Sequence, residues 1–311
     1  LSNGDGLIRF KGEWVCVDAR KVRDLMDRWT QAARMMSSLG IPLVQGLRML
    51  VNGPSGQLVQ IPEPDEDCVM EPGQNLRQTL DILAGKVPVS IPELPSRLDA
   101  LMRPYQKEGF SFLYRITERG FGACLADDMG LGKTLQAIAW LDALRRKGRL
   151  ESLPALIVAP ASLLSNWKEE AQRFAPELIL RIMHPSSPDP WQPENTLRRK
   201  DCHAVITTYG MAARTSALAD LHFPAIILDE AQAIKNAGSA RSRAIRSLHG
   251  ERRIALSGTP VENNLNELWS LMEFLNPGLL GSRKSFESFT RSLERGYAPL
   301  RRLVRPFILR R

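Results

Sequence analysis

The sequence is poor in the residues that build disulfide frameworks and metal clusters. Its 311 residues include four cysteines, Cys16, Cys68, Cys124 and Cys202, and four histidines, His184, His203, His222 and His249. No two cysteines form a CxxC pair, and no histidine stands at zinc-finger spacing from a cysteine pair. A reduced protein without a structural metal site is therefore expected. The histidines are scattered and suggest no role. No apolar stretch is long enough to span a bilayer, so no membrane partner is expected. Internal repeats and low-complexity tracts are missing. The chain opens at Leu1 with neither an initiator Met nor a signal-peptide pattern, and reads as a piece of a longer protein.

What is present is ordinary apolar content, plentiful charge and a formal net charge of +8. A basic balance fits a polyanionic partner such as nucleic acid. The excess is uneven. From Ser282 onward Arg283, Lys284, Arg291, Arg295, Arg301, Arg302, Arg305, Arg310 and Arg311 outweigh Glu287 and Glu294. Two readings stay open there: a solvated helical face, or a surface that contacts phosphates.

Two textures divide the chain. Residues 1–86 suggest a small α+β accessory domain, the last part of a larger upstream region. Leu7 to Val17 reads as two short strands around a Lys-Gly turn. Asp18 then caps a helix with an apolar stripe from Val22 to Met36 that Gly40 stops. Asn52-Gly53-Pro54-Ser55-Gly56 is a turn, and a short helix covers Leu76 to Leu83. Residues 87–95 hold Pro88, Pro92 and Pro95. Proline lacks an N–H and restricts its predecessor, so this is an extended linker.

From Ser96 onward short β-branched runs alternate with helical segments. Strands are predicted over Gly122–Ala126, Ala155–Ala159, Ala204–Thr208, Ala225–Leu228 and Arg253–Ser257. Helices are predicted over Leu135–Arg146, Leu163–Phe174, Ala240–Leu248 and Leu265–Leu275. Near-continuous apolar strands between helices imply an α/β fold, a parallel sheet covered on both faces. Such sheets bind ligands at the carboxyl ends of their strands.

The chemistry-bearing motifs fall at those ends. Asp127-Asp128-Met129-Gly130-Leu131-Gly132-Lys133-Thr134 follows a strand and opens a helix, as a phosphate-binding loop must. Gly130 and Gly132 let the backbone curl so that its N–H groups face phosphate oxygens, assisted by the helix N-terminus. Lys133 reaches the β and γ phosphates of ATP, and the Thr134 hydroxyl binds Mg²⁺. The general pattern starts with Gly, and here that position is Asp127. Further on, the apolar run Ile226-Ile227-Leu228 ends in Asp229-Glu230-Ala231-Gln232. An adjacent carboxylate pair is common as mere surface. Behind a phosphate loop it suits an ATPase: Asp229 holds Mg²⁺ and Glu230 orients and deprotonates the attacking water. Ser257-Gly258-Thr259-Pro260 is either a tight turn leading to a helix near Glu262 or a hydroxyl-bearing loop that senses the γ-phosphate.

The order of these motifs resembles the first lobe of superfamily-two helicases, in particular the Swi/Snf-type ATPases. Asp127 at the start of the phosphate loop is that family's own choice. Met102-Arg103-Pro104-Tyr105-Gln106 is similar to its adenine-reading motif, with Met102 where Leu is usual. Ile157-Val158-Ala159-Pro160 with Leu164-Ser165-Asn166-Trp167 resembles the motif that contacts the DNA backbone, and Ile206-Thr207-Thr208-Tyr209 a further strand motif. Asp229 to Asn236 resembles the acidic box. Leu256-Ser257-Gly258-Thr259-Pro260, with Asn263-Asn264 and Glu267-Leu268-Trp269, resembles the coupling motif. Arg305-Pro306-Phe307-Ile308-Leu309-Arg310-Arg311 resembles the handover to the second lobe. The resemblance spans residues 96–311.

It implies a RecA-like P-loop lobe that binds ATP and Mg²⁺, part of a translocase on double-stranded DNA. Gln106 would read adenine, while Gln232, Ser257 and Thr259 would couple hydrolysis to movement. Ser165, Asn166, Lys168 and Lys235 would contact DNA. A second lobe would supply arginine fingers, which contribute roughly 10³–10⁵ in rate, so this chain alone would bind and hydrolyse ATP weakly. A bacterial cytoplasmic location is expected, and the partner of the first region stays open. Two rivals remain, a strand-separating helicase and a nucleotide-switched adaptor. Gln232, where RNA helicases carry Asp, disfavours the first, and the full set of Lys133, Asp229 and Glu230 disfavours the second.

Overall fold

The computed structural model describes residues 6–10, 13–17, 47, 74–83, 86–87, 89–187, 202–258, 265–291 and 297–311. The helix expected after Asp18 and the turn at Asn52 lie outside the described residues, as does Thr259. The hairpin around Lys11-Gly12 is formed: β1 (Gly6–Phe10) and β2 (Glu13–Val17) pair antiparallel, with Phe10 opposite Glu13. The short helix near Leu76 is α1 (Gln74–Leu83). Residues 89–95 carry neither helix nor strand. Leu47 and Leu83, on the near side of that stretch, share one buried cluster with Leu98 and Met102 beyond it.

The chain continues through α2 (Ser96–Leu101), α3 (Pro104–Thr117), β3 (Ala123–Leu125), α4 (Lys133–Arg146), β4 (Ala155–Ala159), α5 (Leu164–Phe174), β5 (Leu180–Met183) and β6 (Ala204–Thr208). After these come α6 (Tyr209–Arg214), β7 (His222–Phe223), β8 (Ile226–Leu228), α7 (Ala240–Arg246), β9 (His249–Gly250), β10 (Arg253–Leu256), α8 (Leu265–Leu275), α9 (Arg283–Arg291), α10 (Ala298–Val304) and β11 (Ile308–Leu309). Seven strands form one sheet in the order β11-β3-β10-β8-β4-β6-β5. Every pairing in it is parallel.

The apolar content of the strands explains that arrangement. All residues of β3, β4 and β8 are buried, so both faces must be covered, here by helices. α4 is the most enclosed of those helices, buried continuously from Leu135 to Leu144, and it packs between α3 and α5. One buried carboxylate interrupts its apolar surface. Asp142 is bridged by Arg145 at 3.0 Å and Arg146 at 3.1 Å, which offsets the cost of taking its charge from water.

Two devices fix β3, the strand that launches the phosphate loop. Asn276 clamps its entry, accepting from the Gly122 N–H at 2.9 Å and donating to the Gly122 carbonyl at 3.1 Å. A side chain at Gly122 would strike the Leu275 backbone, so only glycine lets the clamp close. On the outer side β11 pairs with β3, and Phe307 stacks near Phe121 with ring centroids 5.2 Å apart. Because β3, β10, β8 and β4 are neighbours, the loops after all four open along one carboxyl edge.

Candidate active site

The phosphate loop leaves β3 at Asp127 and enters α4 at Lys133. Gly130 and Gly132 take positive φ values of 82° and 72°, which favour glycine. Lys133 is buried within its own loop. Its ammonium donates to the carbonyls of Asp127 at 2.7 Å and Asp128 at 3.1 Å. Thr134 is half-buried on the first turn of α4, while Asp128 and Met129 are exposed at the loop tip.

Two glutamines support the loop from below. Gln106 accepts from the Arg103 N–H at 2.9 Å, closing a capping box on α3, and donates to the Leu131 carbonyl at 3.2 Å. A Cβ on Gly132 would collide with the Gln106 amide nitrogen. Gln136, wholly buried on α4, donates to the Gly132 carbonyl at 3.2 Å. The sequence singled out Gln106 as a base reader, and here its amide is bound to α3 and to the loop. Gln136 escaped notice because a glutamine inside a helix normally faces water.

Asp127 is fully buried, and among the described residues neither carboxylate oxygen has a hydrogen-bond partner. The nearest cation is Arg311, whose Nε lies 4.0 Å from Asp127 Oδ1. Arg311 also donates to the Tyr105 carbonyl and lies 3.7 Å from Glu108. It thus turns toward Asp127, apart from both readings left open for the basic excess after Ser282. Cys124, at the centre of β3, is also buried, and burial pushes its thiol up to about 12.

The acidic box follows β8, two strands away. The Asp229 backbone donates to the Val158 carbonyl at 2.8 Å, and its own carbonyl accepts from the Tyr209 hydroxyl at 2.7 Å. Its carboxylate accepts from the Trp167 indole at 2.7 Å and from the Glu230 N–H at 2.9 Å. Burial holds the Asp229 carboxyl above its ordinary range. The Trp167 bond opposes this, Glu230 adds to it, and the Glu230 N–H and Lys133 oppose it in turn. Lys133 is therefore near enough for its charge to be felt at Asp229.

Glu230 has φ 49°, the one described non-glycine residue at positive φ. That backbone costs about 1–3 kcal/mol and is tolerated where a side chain must be aimed. The Glu230 carboxylate accepts from Gln232 Nε2 at 2.7 Å, and Gln232 Oε1 accepts from the Ser257 hydroxyl at 3.0 Å. Gln232 and Ser257, two of the three coupling residues that the resemblance implied, are thus in contact; Thr259 is outside the described residues.

Ser165, Asn166 and Lys168 are exposed on α5, and Lys235 is exposed after the acidic box. Asn166 donates to Glu170 at 2.9 Å. Trp167, quoted within the same motif, is fully buried and points instead to Asp229. The recurrence of Leu164, Trp167 and Ala171 was the sequence signal for that inward stripe.

The donor set fits a magnesium nucleotide. It offers a glycine-bearing turn at a helix N-terminus, one ammonium, one hydroxyl, and a buried carboxylate with a second beside it. No helix among the described residues is long and apolar enough to cross a membrane.

Comparison with known proteins agrees with this geometry. The family model described as the SNF2-related domain matches residues 105–311. The ATP-dependent helicase/translocase candidate YwqA of Bacillus subtilis (strain 168) is 37% identical over 98% of this chain and 34% of its own length. The chromatin-remodeling ATPase INO80 of Gibberella zeae is 35% identical over 70% of this chain and 13% of its own. The chain thus spans about a third or less of these relatives. Among solved structures, the Sulfolobus solfataricus SWI2/SNF2 ATPase core in complex with dsDNA matches with a TM-score of 0.64. It is 40% identical, over 72% of this chain and 47% of the other.

Proposed function

The chain belongs to the SNF2-related family, and on that premise we propose that it is the ATP-binding lobe of an ATP-driven translocase on double-stranded DNA. The observation that carries the reading is the continuous side-chain relay from Ser257 through Gln232 to Glu230, beside Asp229 and within reach of the Lys133 charge. A structural turn has no need of such a relay.

ATP binds with its phosphates against the N–H groups of residues 130–134. Lys133 exchanges its loop carbonyls for phosphate oxygens, and Gln106 lies where the base edge approaches α3. Thr134 and Asp229 would hold Mg²⁺, which would supply neutralisation of phosphate charge. Glu230 orients the attacking water and takes its proton. Gln232 and Ser257, with Thr259, report the state of that carboxylate to the loop after β10. Asp127, Asp128, Met129 and Leu131 complete the ATP-binding loop.

Duplex DNA is gripped through its phosphates by Ser165, Asn166, Lys168 and Lys235, so binding is salt-sensitive and largely independent of sequence. The Sulfolobus relative, solved with dsDNA, supports this partner. A second lobe of the full-length protein completes the site, and residues 1–86 form an accessory unit joined through 87–95. The Bacillus subtilis relative supports a bacterial setting, and the cytoplasm, with nucleoid association, is the location that goes with this reading.

The test is ATP hydrolysis by the full-length parent protein with duplex DNA, single-stranded DNA and RNA across a salt series. Stimulation by duplex that falls steeply with salt is the expected result. Equal activity with and without every nucleic acid would sink the translocase reading. A forked duplex in the same reactions should stay unseparated.

A further inference from the structure

α5 has two faces with different tasks. Ser165, Asn166 and Lys168 are exposed, whereas Trp167 between them is fully buried and donates its indole N–H to Asp229 Oδ2 at 2.7 Å. The Asp229 backbone is already pinned by Val158 on β4 and by the Tyr209 hydroxyl. What remains adjustable is the carboxylate, and among the described residues two donors set its orientation: the adjoining Glu230 N–H and Trp167. The first is fixed by the chain itself. The second is carried on a separate helix.

We propose that Trp167 is the positioning residue through which duplex DNA on α5 governs the Asp229 carboxylate, and so couples DNA binding to nucleotide binding. This rests on the reading above that α5 contacts the duplex. A charge-assisted bond of this length is strong and steeply dependent on direction. A rigid indole, fully buried in a close-packed interior, transmits a small shift of α5. Asp229 in turn holds the metal that the nucleotide brings. The same bond works in reverse, since coupling between two binding sites is reciprocal: nucleotide must alter the affinity for duplex by the factor with which duplex alters the affinity for nucleotide.

The experiment measures duplex affinity of the full-length protein by fluorescence anisotropy, with and without a magnesium-bound non-hydrolysable ATP analogue. Wild type is compared with Trp167→Phe and with a variant whose Trp167 indole is replaced by benzothiophene, which keeps the shape and removes only the N–H. In wild type the two affinities should differ by about 5-fold or more. In both variants that ratio should fall to within about 2-fold, while duplex affinity without nucleotide stays at the wild-type value. An unchanged ratio in the benzothiophene variant overturns the inference. So does failure of that variant to fold, because the bond would then serve stability alone. A wild-type protein that binds duplex with a ratio of one overturns the coupling and leaves the DNA reading standing. A wild-type protein that binds no duplex overturns both.

Discussion

The Ser257 hydroxyl donates a 3.0 Å hydrogen bond to the side-chain oxygen of Gln232, whose amide nitrogen donates to Glu230 at 2.7 Å. Two loops that follow different strands are thereby joined at the residue expected to activate water. Ser257→Ala removes the outer restraint and leaves the others in place. A neutral hydrogen bond of this kind is worth about 1 kcal/mol, so the turnover of the full-length protein should fall roughly fivefold. Nucleotide affinity should change by less than about twofold, because Ser257 supports Glu230 and not the phosphate loop. Steady-state kinetics with and without duplex DNA would check this. A rise in KM at constant kcat would contradict it.

The two loop glycines should respond differently to the same methyl group. At Gly130 an added Cβ meets nothing within 4 Å, so Gly130→Ala bears only the strain of positive φ, about 1–2 kcal/mol. At Gly132 the same strain is joined by a collision with the Gln106 amide nitrogen. Gln106 must move, and with it both of its hydrogen bonds. Gly132→Ala should therefore weaken nucleotide binding at least about tenfold more than Gly130→Ala. Titration with a fluorescent ATP analogue would measure the difference, and equal losses would show that Gln106 does not brace the loop.

Legibility in the sequence followed the range of the forces involved. β4, β6 and α8 begin and end where periodicity puts them, because apolar runs of that length have one solution between helices. β5 and β11 were not foreseen. β5 carries Arg181 amid apolar residues, and β11 is two residues long; each exists because a neighbouring strand offers its edge. The phosphate loop, the acidic box and Ser257 were readable because their chemistry demands particular residues at short spacing. Trp167, Gln136 and Asn276 were not, since each acts on a partner far away in sequence or on a loop whose path only the fold defines. Arg311 shows the opposite error. Counted with a basic surface, it lies against the buried Asp127.

That pair yields a stability prediction. Among the described residues Asp127 has no hydrogen-bond partner for either oxygen, and Arg311 is the cation that lies against it. Arg311→Leu strands a buried carboxylate and should cost about 2–3 kcal/mol, somewhat less than a fully enclosed pair because Arg311 is partly exposed. Asp127→Asn in the same protein should restore most of that loss. Chemical denaturation of wild type, both single variants and the double variant gives the coupling. Additive losses would mean that Arg311 acts through Tyr105 and Glu108 and not through Asp127.

The last prediction concerns pH. Burial raises the Asp229 pKa above the ordinary carboxylate range, helped by Glu230 and opposed by the Trp167 bond, the Glu230 N–H and Lys133. For an acid whose pKa is higher folded than unfolded, the folded protein holds the extra proton between the two values. Stability from this group is therefore present as pH falls into that window and lost as pH rises through the folded pKa. Metal binding runs the other way, because only the charged carboxylate can ligate. As pH falls from neutral, magnesium–nucleotide affinity should begin to decline above the usual Asp range, while Asp229 itself makes the nucleotide-free protein no less stable. Asp229→Asn removes the titrating group, so its weaker nucleotide binding should be flat over the same interval apart from titration of the nucleotide. The wild-type to variant affinity ratio, followed against pH, isolates the carboxylate. A ratio that stays constant down to the ordinary Asp range would mean that the Asp229 pKa is not raised, and that burial there is offset by Trp167 and Lys133 together.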